Sequence, residues 1–354
     1  MKQIKMYVYP DRSYSIKPDT NPYIKDLVKA LEETEVSVVR SKTAWLGVID
    51  IFRYAHRLDA VVFNWVEEVA NRTMGHVQAI ALIFLIPFLK LSGVKVIWTI
   101  HNKVSHSPKN RRIAAYFRKL LMKQADVRIA HTGDVQLPGA RSIVYYPHPF
   151  KQNESTFPTS ADSEYDVLVW GSILPYKGIK EFLEAVHARG DNNLRIHIQG
   201  KCPDSTYYQA LMSLVTDRIT ICNKFTSDEE LKTLMHASRT VVFTYQSQSV
   251  LSSGALIESI ANFKTVIGPD FGNFKDCRQE GIAYTFSDFN DLIDSVYAIK
   301  EGRLPLIDPN DIEKYIRSYS WLDYAYYLRQ QVENENVDNL YQSRQQLGQS
   351  NQLA

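Results

Sequence analysis

VLVWGSILPYKGIKEFLEAV (167–186) reads as an apolar strand ending at Gly171, a loop carrying Pro175, Lys177 and Gly178, and then an amphipathic helix. Each part has a use at an anion. Glycine lets backbone approach a phosphate, a helix N-terminus supplies free N–H groups and positive potential, and Lys177 adds a mobile cation. An ordinary strand-to-helix connection with a surface lysine has the same pattern, so its meaning depends on what surrounds it.

Outward from this stretch, short apolar runs alternate with helical patterns, the signature of parallel sheets in α/β layers. Downstream, strands are expected at 194–200, 218–222, 240–245 and 265–269, with helices over 178–189, near 205–215, and over 227–237 and 254–262. Upstream, strands are expected at 4–10, 36–40, 60–65, 95–101, 127–131 and 142–146, with helices over 22–33, 44–57, 74–91 and 109–125. The polar, proline-containing segment 148–165 separates the two series. Two doubly wound domains in tandem follow, with a ligand in the cleft outside the carboxyl ends of their strands. The Asn-, Gln- and Glu-rich stretch 332–354 is expected to be frayed.

A length of 354 residues, with 45% hydrophobic and 23% charged residues, suits two such domains. The net charge of +2 conceals a division. Residues 1–150 carry 22 Lys+Arg against 12 Asp+Glu, and residues 151–354 carry 19 against 27. Such asymmetry bears on partners. Cys202, Cys222 and Cys277 have neither disulfide-framework nor zinc spacing, and the expected compartment is the cytoplasm. The start lacks the apolar run of a signal sequence. The most apolar stretch, AIALIFLIPFLKL (79–91), is too short to span a bilayer and reads as a buried helix.

The second chemical segment is TVVFTYQSQSVLSSGALIESIANFKTVIGPDFG (240–272). A strand ending at Tyr245 leads to the turn Ser252-Ser253-Gly254, and the next helix carries Glu258 one turn in. The turn and helix start form a second anion cradle. Glu258 suits a pair of vicinal hydroxyls, or equally a favourable first-turn charge on the helix dipole.

GSILPYKG (171–178) followed by LIESIANFKTVIG (256–268) resembles the donor half of the GT-B glycosyltransferases, family 4 and its relatives most closely. In that family a G-R-L-x-P-x-K-G loop precedes a helix, and two glutamates eight positions apart precede a P-V-I strand. FTSDEELKTLMHASRTVVFTY (225–245), IVYYPHPF (143–150) and YSWLDYAYYLRQQV (319–332) extend the resemblance over most of residues 1–330. It implies two Rossmann-like domains facing a cleft: 1–150 for the acceptor and 151–318 for the nucleotide-sugar donor. A helix over 319–332 would cross back to the first domain, leaving 333–354 as a polar tail. Lys177 matches the lysine that contacts the donor diphosphate, and Glu258 the glutamate that holds the ribose. Gly171, Ser172, Gly178, Tyr245, Ser252, Ser253 and Gly254 complete the expected donor site. Ser172 stands where the family has an arginine, and Val250 where it has the first glutamate. Relatives with S-G-A-L in place of E-G-F-G do occur.

On the acceptor side, KVIWTIHNKVSHS (95–107) puts His101 and Asn102 at the carboxyl end of a strand, with His106 five residues on. Relatives often carry a histidine at the first position, facing the donor sugar, and His101 is expected to be catalytic together with Lys177. For His106 a packed or solvated role fits equally well. SPKNRRIAAYFRKLLMKQADVR (107–128) holds seven basic residues against one acidic. Arg111 and Arg112 are assigned to the acceptor. A basic amphipathic helix suits an anionic membrane or a polyanionic acceptor, although solvated lysines and arginines on a packed helix give the same pattern.

The expected activity is hexosyl transfer from a UDP- or GDP-linked sugar to a glycan or polyprenyl diphosphate-linked acceptor in surface polysaccharide synthesis, retaining by resemblance. Neither metal nor other cofactor is expected, nor nucleic acid, since no helix-turn-helix, RNP-like strand or zinc-finger spacing accompanies the charge. The expected location is cytoplasmic, at the inner face of the plasma membrane. A non-catalytic nucleotide-sugar or glycan-binding subunit, or a sugar-nucleotide epimerase on the same fold, are the alternatives.

Overall fold

Period-two apolar runs become strands buried on both faces, because each successive side chain points to the opposite layer. In β4 (Lys95–Ile100), Val96, Trp98 and Ile100 enter one core and Ile97 the other. The computed structural model describes residues 3–11, 22–40, 47–102, 109–135, 137, 139, 142–151, 163–190, 193–246 and 251–333. The tail 334–354, most of the segment 148–165, His106 and Val250 lie outside the described residues.

The first sheet is parallel in the order β2-β1-β3-β4-β5-β6. Its other strands are β1 (Lys5–Tyr9), β2 (Ser37–Val38), β3 (Ala60–Asn64), β5 (Val127–Ala130) and β6 (Val144–Tyr145). Helices α2 (Gly47–Tyr54), α3 (Gly75–Leu91) and α4 (Arg111–Gln124) cover one face. The other face takes α1 (Tyr23–Glu33) and the C-terminal helix.

The second sheet is parallel in the order β12-β11-β10-β7-β8-β9. It comprises β7 (Tyr165–Trp170), β8 (Ile196–Gln199), β9 (Ile219–Cys222), β10 (Ser238–Val242), β11 (Thr265–Pro269) and β12 (Tyr284–Phe286). Helices α5 (Ile179–Ala188), α6 (Ser205–Met212) and α10 (Phe289–Lys300) pack on one face. Helices α7 (Asp228–His236), α8 (Gly254–Ala261), α9 (Gly272–Gln279) and α11 (Pro309–Ser318) pack on the other.

The final helix, α12 (Trp321–Glu333), returns to the first unit, where Trp321, Tyr324 and Leu328 join the core beside α1. Arg329 and Lys95 fix its far end through the carbonyls of Thr34 and Gln331 at 2.8 and 2.6 Å. The outgoing and returning chains also meet. Phe150 N–H donates to Tyr319 O at 2.9 Å, and Trp321 N–H donates to Phe150 O at 3.3 Å.

Carboxyl ends of the two sheets face each other through a reciprocal pair of hydrogen bonds. Past β5, Gly133 N–H donates to Asp276 of α9 at 3.1 Å, and Asp134 accepts from Gly272 N–H at 3.0 Å. Leu251 of the second half is fully buried in the core of the first.

Several expectations change. Helix α3 is only half buried, since Val77, Ile80, Phe84, Phe88 and Leu91 face outward. Strands β2 and β6 shrink to two residues each at the edge of their sheet. A 3-10 turn over Val66–Asn71 and everything between β11 and α12 were not read from sequence, although Asp288 caps α10 in the manner of an N-cap aspartate.

Candidate active site

The GSILPYKG loop turns sharply beneath β7. Gly171 has φ 101°, and Gly178, at φ 69°, caps the short 3-10 turn Pro175–Lys177 and opens α5. Gly178 has no room for a side chain, because a β-carbon would run into the carbonyl of Thr244 and the ring of Phe289. Both the left-handed backbone and the clash oppose substitution. Gly178→Ala should therefore destabilise the protein by at least about 2 kcal/mol in urea unfolding. An unchanged midpoint would show that the loop is not held as described.

This turn draws Lys177 inward until its side chain is only 8% exposed. Its carbonyl accepts from Thr244 Oγ1 at 2.6 Å, and its ammonium lies 5.5 Å from the centre of the Tyr245 ring. No carboxylate among the described residues pairs with it. Burial holds the ammonium below the ordinary lysine value, and Tyr176 offsets this in part. A buried cation without an acid partner is costly in a resting protein and suited to receiving an anion.

Tyr245 joins this cation to the second motif, since its hydroxyl is 3.4 Å from Ser253 Oγ. Ser253 caps α8 by accepting from Leu256 N–H at 3.3 Å, and Asn273 accepts from Ser253 N–H at 3.1 Å. Asn273 also donates to Ser252 Oγ at 3.4 Å, so the serine turn is tied to the start of α9. Beside Tyr245 a cavity of about 430 Å³ extends to Asp270, Phe286 and Phe289. Tyr245 thus links the Lys177 ammonium to Ser253, and Asn273 adds Ser252, while Gly178 packs under the Thr244 carbonyl and Gly171 lies beside the Lys177 ammonium; of this cluster Tyr245 alone lines the cavity. Ser172 and Gly254 are exposed. Glu258 sits one turn along α8, where its carboxylate accepts from Asn262 at 3.2 Å, and among the described residues no hydrogen bond or ion pair joins it to this cluster.

His101 closes β4 of the first sheet inside an aromatic nest. Its ring stacks on Trp65 at 4.1 Å and meets Tyr23 edge-on at 4.7 Å. Asn64 Nδ2 donates to Tyr9 O, leaving Asn64 Oδ1 to accept from His101 Nε2 at 3.0 Å. That network places the proton on Nε2 and the lone pair on Nδ1. Burial first, then the neighbouring His131 and His148, hold His101 well below the usual histidine value, so it is neutral at pH 7. Trp65 holds this stack from the left-handed region at φ 48°, a strained position for a bulky residue. Asn102 is buried beside it, its carbonyl accepting from Arg118 at 2.8 Å. Arg111 and Arg112 stand exposed in the first turn of α4. Cations oppose the helix dipole there, so helix stability does not account for them.

Sequence reading missed Glu67, just past β3. Both carboxylate oxygens are buried with no side-chain hydrogen-bond partner among the described residues, and burial pushes the group up to about 7 despite its own backbone N–H, Arg118 and Arg72. Its only signal is an acidic residue shortly after a strand. His131 was also missed, donating from Nδ1 to Tyr146 O at 2.9 Å and accepting from the Tyr23 hydroxyl at 2.6 Å. Among the described residues no group of three His, Cys, Asp or Glu side chains is placed to hold a metal ion.

No protein-family profile matches the chain. It is similar to a GDP-mannose:glycolipid 4-beta-D-mannosyltransferase of Xanthomonas campestris pv. campestris, 25% identical over 259 residues that cover 71% of this chain and 70% of that protein. Among solved structures, Anabaena HepE in complex with UDP superposes with a TM-score of 0.66 at 14% identity, covering 94% of this chain and all of that one. Sucrose-phosphate synthase from Thermosynechococcus elongatus gives 0.63 at 13% identity, covering 93% of this chain and 98% of the other. The two facing sheets with a returning C-terminal helix are the GT-B fold, similar to family 4.

Proposed function

We propose that this glycosyltransferase of GT-B type moves a hexose from a GDP-linked donor to a glycan or polyprenyl diphosphate-linked acceptor in surface polysaccharide synthesis. The observation that carries the reading is the buried Lys177 ammonium, which has no carboxylate partner among the described residues, beside the start of α5 and linked through Tyr245 to the cap of α8. Glycosyl transfer breaks the bond from the anomeric carbon to the diphosphate, and charge develops on the leaving oxygen. Preorganised cations and backbone N–H groups stabilise that charge. In this reading Lys177 and the N–H groups at the starts of α5 and α8 hold the diphosphate, and the adjoining cavity takes part of the donor. Glu258 takes the ribose by its matching position in the family motif. The choice of GDP and of a lipid-linked acceptor rests on the similarity to the Xanthomonas enzyme.

Asn102, Arg111 and Arg112 receive the acceptor at the basic unit. Retention follows from the resemblance, with the departing diphosphate taking the acceptor proton. Inversion is favoured instead by the beta linkage in the name of the Xanthomonas relative, since GDP-mannose is alpha-linked; the unprotonated Nδ1 of His101 would then receive the acceptor proton, as a base weakened by burial. The anomeric configuration of the product, read by NMR, separates the two courses.

A thermal-shift panel tests the donor. GDP and GDP-mannose at about 100 times their dissociation constants should raise the melting temperature by roughly 5 °C, with UDP compounds raising it less. Release of GDP on adding acceptor distinguishes transfer from passive binding, and an altered sugar without acceptor identifies an epimerase. A flat response to every nucleotide sugar rules the reading out.

A further inference from the structure

Helix α3, GHVQAIALIFLIPFLKL, is apolar around nearly its whole circumference, yet only one side is buried; on the other, among the described residues, Phe88 meets the Phe52 ring. Leu82, Leu85, Ile86 and Leu89 are fully buried against the first sheet. The opposite side presents Val77, Ile80, Phe84, Phe88 and Leu91 at successive steps of three or four residues. Ile80, Phe84 and Leu91 are 59, 66 and 89% exposed, with Met74 and Ile83 beside them. A contiguous apolar stripe of this kind marks an interaction surface.

Its flanks identify the partner. Helix α4 packs beside α3, contains no acidic residue, and exposes Arg111, Arg112, Lys119 and Lys123. On the other side lies α2, where the Phe52 ring meets Phe88 at 5.6 Å and Arg53 is exposed while Asp50 is buried. Arg53 pairs with Asp50 at 3.0 Å, so α2 is neutral and the cations lie on the α4 side; an apolar ridge with one cationic margin complements a bilayer with anionic headgroups. A second copy related by a two-fold axis across α3 is a poor match, because it would set the basic α4 of one chain against the basic α4 of the other. No helix among the described residues is long and apolar enough to cross a membrane, so α3 lies along the surface.

We propose that the α2–α3–α4 face is a membrane-binding surface, with the Ile80–Phe84–Phe88 ridge set among acyl chains and the exposed cations of α4 on anionic lipid headgroups. This rests on the exposed face and is independent of the transferase reading.

The test is flotation of the full chain with phosphatidylglycerol/phosphatidylethanolamine vesicles and with phosphatidylcholine vesicles, alongside light scattering without lipid. The wild type should float with the anionic vesicles. Ile80→Ser with Phe84→Ser should reduce partitioning at least tenfold while leaving thermal unfolding intact, since both side chains are solvent-exposed. Arg112→Glu with Lys119→Glu should weaken anionic binding by roughly fivefold per charge and leave phosphatidylcholine binding unchanged. Wild-type protein that stays unbound, or a serine variant that floats like the wild type, overturns the proposal. A dimer that the serine variant dissolves, with no vesicle binding, assigns the face to a second copy and overturns it equally.

Discussion

Lys177→Ala is expected to lower turnover by on the order of 100-fold or more, since removing one group aimed at developing transition-state charge costs about 3 kcal/mol. The variant also supplies a sharper contrast. Lys177 is buried with no carboxylate partner among the described residues, and burial holds its ammonium below the ordinary lysine value. The resting protein therefore carries a destabilising charge that an anionic ligand relieves. Lys177→Met fills a similar volume without the charge. It should unfold at a higher temperature than the wild type, show a smaller shift with GDP, and be as inactive as the alanine variant. Near-normal turnover in either variant removes Lys177 from the chemistry. A methionine variant less stable than the wild type would show that the cation has a structural partner.

His131→Gln should change how stability responds to acid. Burial first, then the charge of His148, holds His131 down at about 3, partly offset by hydrogen bonds to the backbone at Tyr146 and Pro147. The unfolded chain takes up its proton near pH 6.5 and the native state does not, so this residue's contribution is complete above pH 6.5 and falls as pH drops toward 3. By pH 4 the loss is about 3 kcal/mol. Asp276, raised to about 6, and Glu67, raised to about 7, act in the opposite sense. Their native states keep a proton that the unfolded chain gives up, so their contributions decline as pH rises from about 4 through 6 and 7. Those terms cancel when the variant is compared with the wild type. Urea unfolding at pH 7 and pH 4 should show the glutamine variant gaining about 3 kcal/mol on the wild type, and parallel responses would refute the burial of a neutral imidazole.

How much was legible in sequence depended on whether a property is local. Two series of alternating apolar runs and helical periods gave both sheets, because period and turn chemistry are written in neighbouring residues. The same holds for Lys177 and Ser253, whose loop and cap are local motifs. Within residues 270–318, α9, GNFKDCRQ, has little apolar pattern and β12 has only three residues, whereas α10 and α11 carry helical apolar periods and aspartate N-caps that were legible and went unread. Burial is not local. AIALIFLIPFLKL reads as core throughout, and only its surroundings in space show that one side stays largely exposed. Glu67 was hidden for the same reason, since its lack of a side-chain hydrogen-bond partner among the described residues depends on the tertiary surroundings of both oxygens.

The meeting of the outgoing and returning chains at Phe150 and Tyr319–Trp321 limits how the two sheets can move. Two connections that pass side by side and are hydrogen-bonded to each other behave mechanically as one pivot. They resist sliding and separation, and leave rotation about their shared position as the soft motion. An opening by that rotation preserves the Phe150 bonds and breaks the Gly133–Asp276 and Gly272–Asp134 pair. Those two aspartates are then what such a rotation must release first, and with Asp276 raised to about 6 its share of that hold depends on acidity.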